Sequence, residues 1–253
     1  MHFLSNANLP KSPAHTVVMS GEYPQLAGRV EELGIHVIQT RPCFSLPFPE
    51  RYHADMQCLY LGQEQLIVLK ECRILQERLR EQKIPFFKAE NNIEANEYPY
   101  HVLLNCLVME QNIICNKKYI DSKVIKICEK FNKDVVAVRQ GYARCSTAVV
   151  AEKAFITADE SIYRAALNIG YDVLNIREGY IKLPGYSYGF IGGCSVLLDR
   201  NQLLFTGNIR QHPDYVSIKS FAANHGVFLD ILDNCELTDI GGIVVLTEKE
   251  TYR

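Results

Sequence analysis

One pattern recurs along most of this chain and limits what the chain can fold into. Each copy contains an apolar strand, a second short strand, an amphipathic helix and a third strand, and the copies recur at intervals of about 40 to 50 residues. Complete copies occupy residues 52–88, 100–139, 141–177 and 189–233. A single unit of this size cannot bury its apolar face, so neighbouring units must pack together. The pattern predicts an α/β fold built from similar units.

The remaining unit is split between the two ends of the chain. Residues 15–40 supply a strand, a helix and a strand, whereas residues 236–253 supply one further strand within DIGGIVVLTEK. Together they complete a fifth unit and close a ring, which removes exposed sheet edges. We therefore predict that residues 1–253 form a single domain, a five-fold pseudosymmetric ββαβ propeller closed by its N- and C-terminal segments.

Composition and charge exclude several classes of protein. Lys and Arg number 27 against 29 Asp and Glu, so the net charge of −2 gives no bulk attraction for nucleic acid or an anionic membrane. No apolar run reaches the roughly 18 residues that a membrane-spanning helix needs. The nine cysteines form no C-x-x-C pair, which argues against a zinc ribbon and a disulfide framework. Free thiols indicate a reducing compartment, so we expect a cytoplasmic protein.

The five-unit ring resembles the pentein fold of guanidine-modifying enzymes, which include arginine and agmatine deiminases, amidinotransferases and dimethylarginine dimethylaminohydrolase. Three stretches, QGYARCSTAVV, GYIKLPGYSYGFIGGCS and HPDY, are also similar to an uncharacterised bacterial family of that fold. The resemblance implies that the first strands of the units meet around a central cavity. It further implies a small polar partner such as a guanidino compound, with the oligomeric state left open.

Three short elements are similar to catalytic elements of those enzymes. His53-Ala54-Asp55 is like their His-x-Asp element, Cys145 in ARCST is like their nucleophile, and Asp239-Ile240-Gly241-Gly242 is like their carboxylate-Gly-Gly element. The resemblance implies a hydrolase or transferase in which Cys145 attacks a guanidino or amidino carbon and His53 acts as acid and base. The order in the chain requires a circular permutation, and Asp239 is one residue out of register.

Polar groups at equivalent places in the units are expected to bind the substrate, because buried polar groups need partners. The candidate substrate-binding residues are Asp55, Asn105, Arg144, Ser146, Gly192, Gly193 and Asp239. No metal ion and no cofactor is expected. Cys145 is expected on an inward strand, where alternation lets only one of Arg144 and Cys145 reach the cavity.

Alternative interpretations stay open at this point. Cysteine occurs at the same place in four units, at Cys58, Cys106, Cys145 and Cys194, which is also typical of core packing. A charged Arg144 beside the cysteine would repel a guanidinium. The chain is therefore either an enzyme or a non-catalytic or degenerate pentein that binds a small molecule or a protein.

Several other residues have predicted structural roles. Asp159 and Asp214 are expected to cap helices, and Gly34, Gly170 and Gly226 are expected to end helices in the left-handed conformation. His212 is expected on a solvated rim. The tyrosines of GYIKLPGYSYGF either line the mouth of a cavity or pack within their loop.

Overall fold

The structure is a computed structural model that describes residues 2–250. Its strands are β1 (His2–Phe3), β2 (Ala14–Met19), β3 (His36–Gln39), β4 (Cys58–Tyr60), β5 (Leu66–Val68), β6 (Phe87–Lys88), β7 (Leu107–Val108), β8 (Asn112–Cys115), β9 (Asp134–Ala137), β10 (Thr147–Ala151), β11 (Ala154–Thr157), β12 (Asp172–Asn175), β13 (Ser195–Asp199), β14 (Gln202–Phe205), β15 (Phe228–Ile231) and β16 (Ile243–Glu248). Its α-helices are α1 (Pro24–Glu32), α2 (Ala54–Gln57), α3 (Arg73–Glu81), α4 (Ser122–Lys130), α5 (Glu160–Asn168) and α6 (Tyr215–Asn224).

These strands form five small sheets, which makes the fold a mixed α/β fold. Four sheets have three strands each, in the orders β4-β5-β6, β7-β8-β9, β10-β11-β12 and β13-β14-β15. In each of them the first two strands are antiparallel, and the second and third are parallel. The parallel connection runs through a helix, α3, α4, α5 or α6, as a parallel crossover requires.

The fifth sheet joins the two ends of the described chain, in the order β1-β16-β2-β3. The last strand, β16, lies antiparallel between β1 and β2, and β2 is parallel to β3 across α1. All six residues of β16 are buried, so the C-terminal strand is an interior strand of its sheet. Residues 251–253 of the predicted split unit, like residue 1, lie outside the described part of the chain.

Turn and cap residues explain where several helices begin and end. Gly34, Gly170 and Gly226 follow α1, α5 and α6 with φ of 77°, 82° and 71°, which confirms the left-handed ends predicted for them. The Asp159 carboxylate accepts a hydrogen bond from the Ile162 amide at 2.9 Å, which confirms its cap role. The prediction for Asp214 was wrong in part: it stands at the start of α6, but its carboxylate binds Arg177 instead of capping the helix.

Candidate active site

The residues singled out in the sequence lie in the segments just before strands β4, β7, β10, β13 and β16. Cys145 was predicted on a strand, but β10 begins only at Thr147, and Cys145 occupies the turn before it. His53 stands immediately before the short helix α2, which leads into β4. Of Arg144 and Cys145 only Cys145 lines the cavity, as expected, but strand alternation is not the reason, because both residues lie in the turn.

Two polar side chains contact the sulfur of Cys145. The thiol donates a hydrogen bond to Asp55 Oδ2 at 3.0 Å, and Asn105 Nδ2 lies 2.9 Å from the same sulfur. Asn105 also holds the turn itself, because its Oδ1 accepts from the amides of Arg144 at 2.9 Å and Cys145 at 3.2 Å. Asp55 from α2, before β4, and Asn105 from the turn before β7 therefore set the position of the sulfur.

Burial controls the protonation of this pair. Burial, together with the negative charges of Asp55 and Asp239, raises the pKa of the Cys145 thiol well above its ordinary value. Burial also raises the pKa of Asp55 from 3.8 to about 7. Oδ1 of Asp55 is buried and accepts no hydrogen bond from any described residue. The free protein thus holds Cys145 as a neutral thiol beside a carboxyl group that titrates near neutral pH.

Arg144 is turned away from the thiol toward the backbone. Its guanidinium donates to the carbonyl oxygens of Thr147 at 3.1 Å and Gly192 at 3.4 Å. The side chain is buried but does not line the cavity beside Cys145. The sequence suggested that Arg144 would repel a guanidinium. This repulsion is reduced, because the Arg144 guanidinium binds backbone carbonyl groups and lies outside the lining of the cavity.

Glycines allow the three predicted elements to approach one another closely. A Cβ on Gly241 would overlap the Cα, Cβ and Cγ atoms of His53, and a Cβ on Gly193 would overlap the Asp239 carboxylate. The Asp239 carboxylate accepts from the amides of Phe190 and Gly241, each at 2.9 Å. Burial raises the pKa of Asp239 above its ordinary value. The glycines thus fix His53 and Asp239 on one side of the site.

His53, Cys145 and Asp239 line one cavity of about 200 Å³, which we call the Cys145 cavity. Its other lining residues are Glu50, Tyr142, Leu183, Tyr186, Ser187, Tyr188 and Phe190. The other candidate residues do not line it. Five of them are buried behind the residues that line the cavity: Asp55, Asn105, Arg144, Gly192 and Gly193. Ser146 lines a neighbouring cavity.

The sequence analysis missed Glu50 and the residues that hold it. Glu50 Oε1 accepts hydrogen bonds from the hydroxyls of Tyr142 at 2.8 Å and Tyr186 at 2.5 Å, and Oε2 lies 3.0 Å from His101 Nε2. Burial by itself raises the pKa of Glu50, but His101 and then the Tyr186 and Tyr142 hydroxyls outweigh burial and leave the pKa below its ordinary value. The only signal in the sequence was a set of tyrosines in a rim loop, and Tyr186 and Tyr188 do line the cavity.

The structure also corrects the expectation for His212. This residue was expected on a solvated rim, but it is buried, packs edge-on against Tyr180 and accepts a hydrogen bond from the Asp214 amide at 3.1 Å.

Among residues 2–250, no group of three or more His, Cys, Asp or Glu side chains is arranged to hold a metal ion. No helix in the same range is long and apolar enough to cross a membrane.

One known family matches most of the sequence. Residues 18–244 match the family of unknown function DUF6873. The chain belongs to DUF6873. The match covers most of the sequence of this DUF6873 protein, including every residue that lines the Cys145 cavity. None of the curated proteins matches the sequence significantly.

Solved structures with a similar fold cover most or all of this DUF6873 protein. An inosamine-phosphate amidinotransferase from Streptomyces griseus has a TM-score of 0.61 at 10% identity, covering 100% of this chain and 99% of that chain. DDAH from Pseudomonas aeruginosa, in complex with citrulline, has a TM-score of 0.58 at 11% identity, covering 93% and 100%. An agmatine deiminase from C. jejuni has a TM-score of 0.53 at 9% identity, covering 90% of each chain. These likenesses show the pentein fold, as the sequence resemblance predicted.

Proposed function

We propose that this protein is a guanidino- or amidino-group-modifying hydrolase or transferase, with Cys145 as nucleophile and His53 as acid and base. One observation carries the proposal: Cys145, His53 and Asp239, which are far apart in the sequence, line the same cavity. The solved structures with this fold include an amidinotransferase, DDAH bound to citrulline and an agmatine deiminase. The site therefore combines a thiol, an imidazole and a carboxylate where a small polar molecule can enter.

Two carboxylates are suited to hold a guanidinium in this site. Asp239 lines the cavity, and its two oxygens are already oriented by backbone amides. Asp55 contacts the thiol and has a second oxygen that lacks a partner among residues 2–250. A guanidinium presents several N–H donors in one plane, so it can satisfy such oxygens and hold its carbon in front of the sulfur.

A cationic substrate also removes the obstacle to forming a thiolate. Burial and neighbouring carboxylates raise the pKa of Cys145 in the free protein. A positive charge placed against the sulfur favours the thiolate and offsets the charges of Asp55 and Asp239. The nucleophile is then generated only when the substrate is bound, which protects the thiol from other reagents.

The proposed reaction proceeds in two halves. The thiol proton passes to the Asp55 carboxylate, the sulfur bonds to the guanidinium carbon, and the C–N bond breaks while protonated His53 supplies a proton to the leaving nitrogen. Neutral His53 then removes a proton from water, whose oxygen bonds to the same carbon. The C–S bond breaks as that oxygen becomes the carbonyl and loses its remaining proton to solvent, and Asp55 returns its proton to the sulfur. An amine that attacks in place of water gives the transferase form of the reaction.

The remaining candidates are assigned supporting roles in the same proposal. Asn105 holds the Cys145 turn, Arg144 balances carboxylate charge from outside the lining of the cavity, and Gly192 and Gly193 permit close packing.

We also propose that the five sheets form a pseudo-fivefold ring within one domain. The shared strand order of the sheets and the sheet that joins both termini support this arrangement. Nine free cysteines are consistent with the cytoplasmic location expected from the sequence.

The burial of Cys145 favours one alternative, a degenerate pentein that binds a ligand without chemistry. Its side chain is 2% exposed and is held as a thiol in the free state. Such a protein would bind guanidino compounds and release them unchanged. The two functions differ in whether a C–N bond is broken.

A turnover assay on a panel of guanidino compounds tests the proposal. Wild type, Cys145→Ser, His53→Ala and Cys194→Ser are mixed with arginine, agmatine and methylarginines, and released ammonia or amine is measured with and without an acceptor amine. Cys194 is a suitable control, because it is equally buried but only donates to the Ile191 carbonyl. We expect wild type and Cys194→Ser to turn over at least one compound, and the other two variants to be inactive. Turnover that survives in Cys145→Ser would rule out the mechanism.

A further inference from the structure

Glu50 forms a second anionic position in the Cys145 cavity, separate from the thiol and its carboxylates. The residue is 3% exposed, yet it lines the cavity. Two tyrosine hydroxyls and one imidazole nitrogen lie within 3.0 Å of its oxygens. Burial raises the pKa of Glu50, but His101 first and the two tyrosine hydroxyls after it outweigh burial and hold that pKa below its ordinary value.

One oxygen of Glu50 is left for a ligand. Both tyrosine hydroxyls donate to Oε1, whereas Oε2 is buried and accepts no hydrogen bond from any described residue. His101 Nε2 lies 3.0 Å from Oε2 but makes its hydrogen bond with the Tyr142 hydroxyl, at 2.8 Å. A buried carboxylate oxygen without a donor is costly, so a ligand N–H placed against Oε2 would stabilise the site.

None of the described residues that line the cavity is Lys or Arg, so no permanently cationic side chain balances Glu50. Glu50 and Asp239 line the cavity, Asp55 lies directly behind Cys145, and Arg144 is buried outside the lining. Arg144 offsets one of the three carboxyl groups, which leaves the two lining carboxylates, Glu50 and Asp239, each able to bind one positive charge of a ligand. A ligand carboxylate would find no cationic partner there, and it would be repelled.

The walls of the cavity suit an alkylammonium chain as well. Tyr142, Tyr186, Tyr188 and Phe190 line it, and the Tyr142 and Phe190 rings lie 5.8 Å apart between centroids. Aromatic rings pack against methylene groups and attract cations through their faces. Tyr186 is 44% exposed, so this part of the cavity is the part that meets solvent.

We propose that the substrate is a dication that carries no carboxylate: a guanidinium at one end, held at Cys145 and Asp239, and an ammonium at the other, held by Glu50. This inference rests on the proposed function, because it assigns the second end of a substrate for the same site. Glu50 is the residue that selects for the amine end, and Tyr142, Tyr186 and His101 position it.

Ligand binding to the Cys145→Ser protein tests this substrate class without turnover. Calorimetry compares three kinds of probe: aminoalkylguanidines of increasing chain length including agmatine, alkylguanidines of the same lengths, and arginine, which is agmatine with an added carboxylate. We expect the best aminoalkylguanidine to bind at least about tenfold more tightly than its alkylguanidine and than arginine, because hydrogen bonds between charged groups are stronger than those between neutral groups.

Substitutions at Glu50 and at its partner Tyr186 form the second part of this binding test. Glu50→Gln in the Cys145→Ser background should remove the preference for the aminoalkylguanidine and leave alkylguanidine affinity within about twofold. Tyr186→Phe removes one donor to Glu50 and should reduce the preference in part, which covers the case in which Glu50→Gln fails to fold. Glu31→Gln, on the exposed face of α1, is the control for net charge and should change neither.

The outcomes separate this inference from the proposed function. Equal affinity for aminoalkylguanidines and alkylguanidines, or tighter binding of arginine, overturns the dication inference and leaves the guanidino chemistry standing. A preference that persists in both Glu50→Gln and Tyr186→Phe overturns the role of Glu50. Failure of every guanidine to bind overturns the proposed function, and the dication inference with it.

Discussion

Gly241 joins the His53–Asp55 element to the Asp239 element of the candidate site, so Gly241→Ala tests how these two elements are arranged. Its carbonyl accepts from the Asp55 amide at 3.0 Å, and its amide donates to Asp239 at 2.9 Å. Its φ is 80°, and an added Cβ would overlap the backbone and side chain of His53. Gly170 is the matched control: its φ is 82°, and an added Cβ would meet no atom within 4 Å.

The two glycines separate the cost of the backbone from the cost of the overlap. A left-handed alanine costs about 1 kcal/mol in either variant. Forcing an extra carbon into a packed site adds about 1 to 3 kcal/mol. Urea unfolding should therefore show a loss of about 1 kcal/mol for Gly170→Ala and about 2 to 4 kcal/mol for Gly241→Ala. Equal losses in the two variants would refute the close packing of His53 against Gly241.

The same pair of variants tests the site itself. Because the overlap displaces His53, Gly241→Ala should also lose any Cys145-dependent turnover, whereas Gly170→Ala keeps it at temperatures where both are folded. A Gly241→Ala protein with wild-type activity would contradict the role of His53.

Three further predictions concern charge, thiol reactivity and capping. Because the pKa of Asp55 is raised from 3.8 to about 7 in the folded chain, the folded state binds more protons than the unfolded state in that window. Stability should fall as the pH rises through the window, by on the order of 4 kcal/mol, and urea unfolding of Asp55→Asn should lack this component. Iodoacetamide at neutral pH should modify exposed Cys235 well before Cys145, whose pKa is raised by burial, and peptide mass spectrometry that finds Cys145 modified first would contradict the buried thiol. Asp159→Ala should cost about 1 kcal/mol of stability in urea, because its carboxylate caps α5; Asp214→Ala, which removes no such cap, should cost less.

The sequence predicted those parts of the fold that depend on local pattern. Strand periodicity, the helix-ending glycines and the Asp159 cap are read from neighbouring residues, and the structure agrees with them. Cys145, His53 and Asp239 came from a resemblance to catalytic elements, and all three line one cavity. The predicted start of the strand at Cys145 was wrong, because residues 143–146 include no Gly, Pro, Asn or Asp that would mark a turn before strand pairing starts.

Glu50 could not be predicted, since its role arises entirely from long-range contacts. It lies in a Pro- and Phe-rich loop without regular periodicity, and its partners Tyr142 and Tyr186 are far away in the sequence. His212 was misplaced for the same reason: its burial under Tyr180 depends on how a distant loop folds back over it. Buried polar networks of this kind are visible only once the elements are packed.

Labelling by chloroacetamidine, a guanidinium-like electrophile, tests the central claim most directly. The amidinium should be drawn to the carboxylates of the Cys145 cavity, and the thiol should displace chloride to form one covalent thioether. Peptide mass spectrometry should locate the adduct at Cys145, with protection by agmatine and no labelling there in Asp239→Asn at equal exposure to the reagent. An adduct that forms only at exposed Cys235, or labelling of Cys145 no faster than by neutral chloroacetamide, would contradict a guanidinium-binding nucleophile at this site.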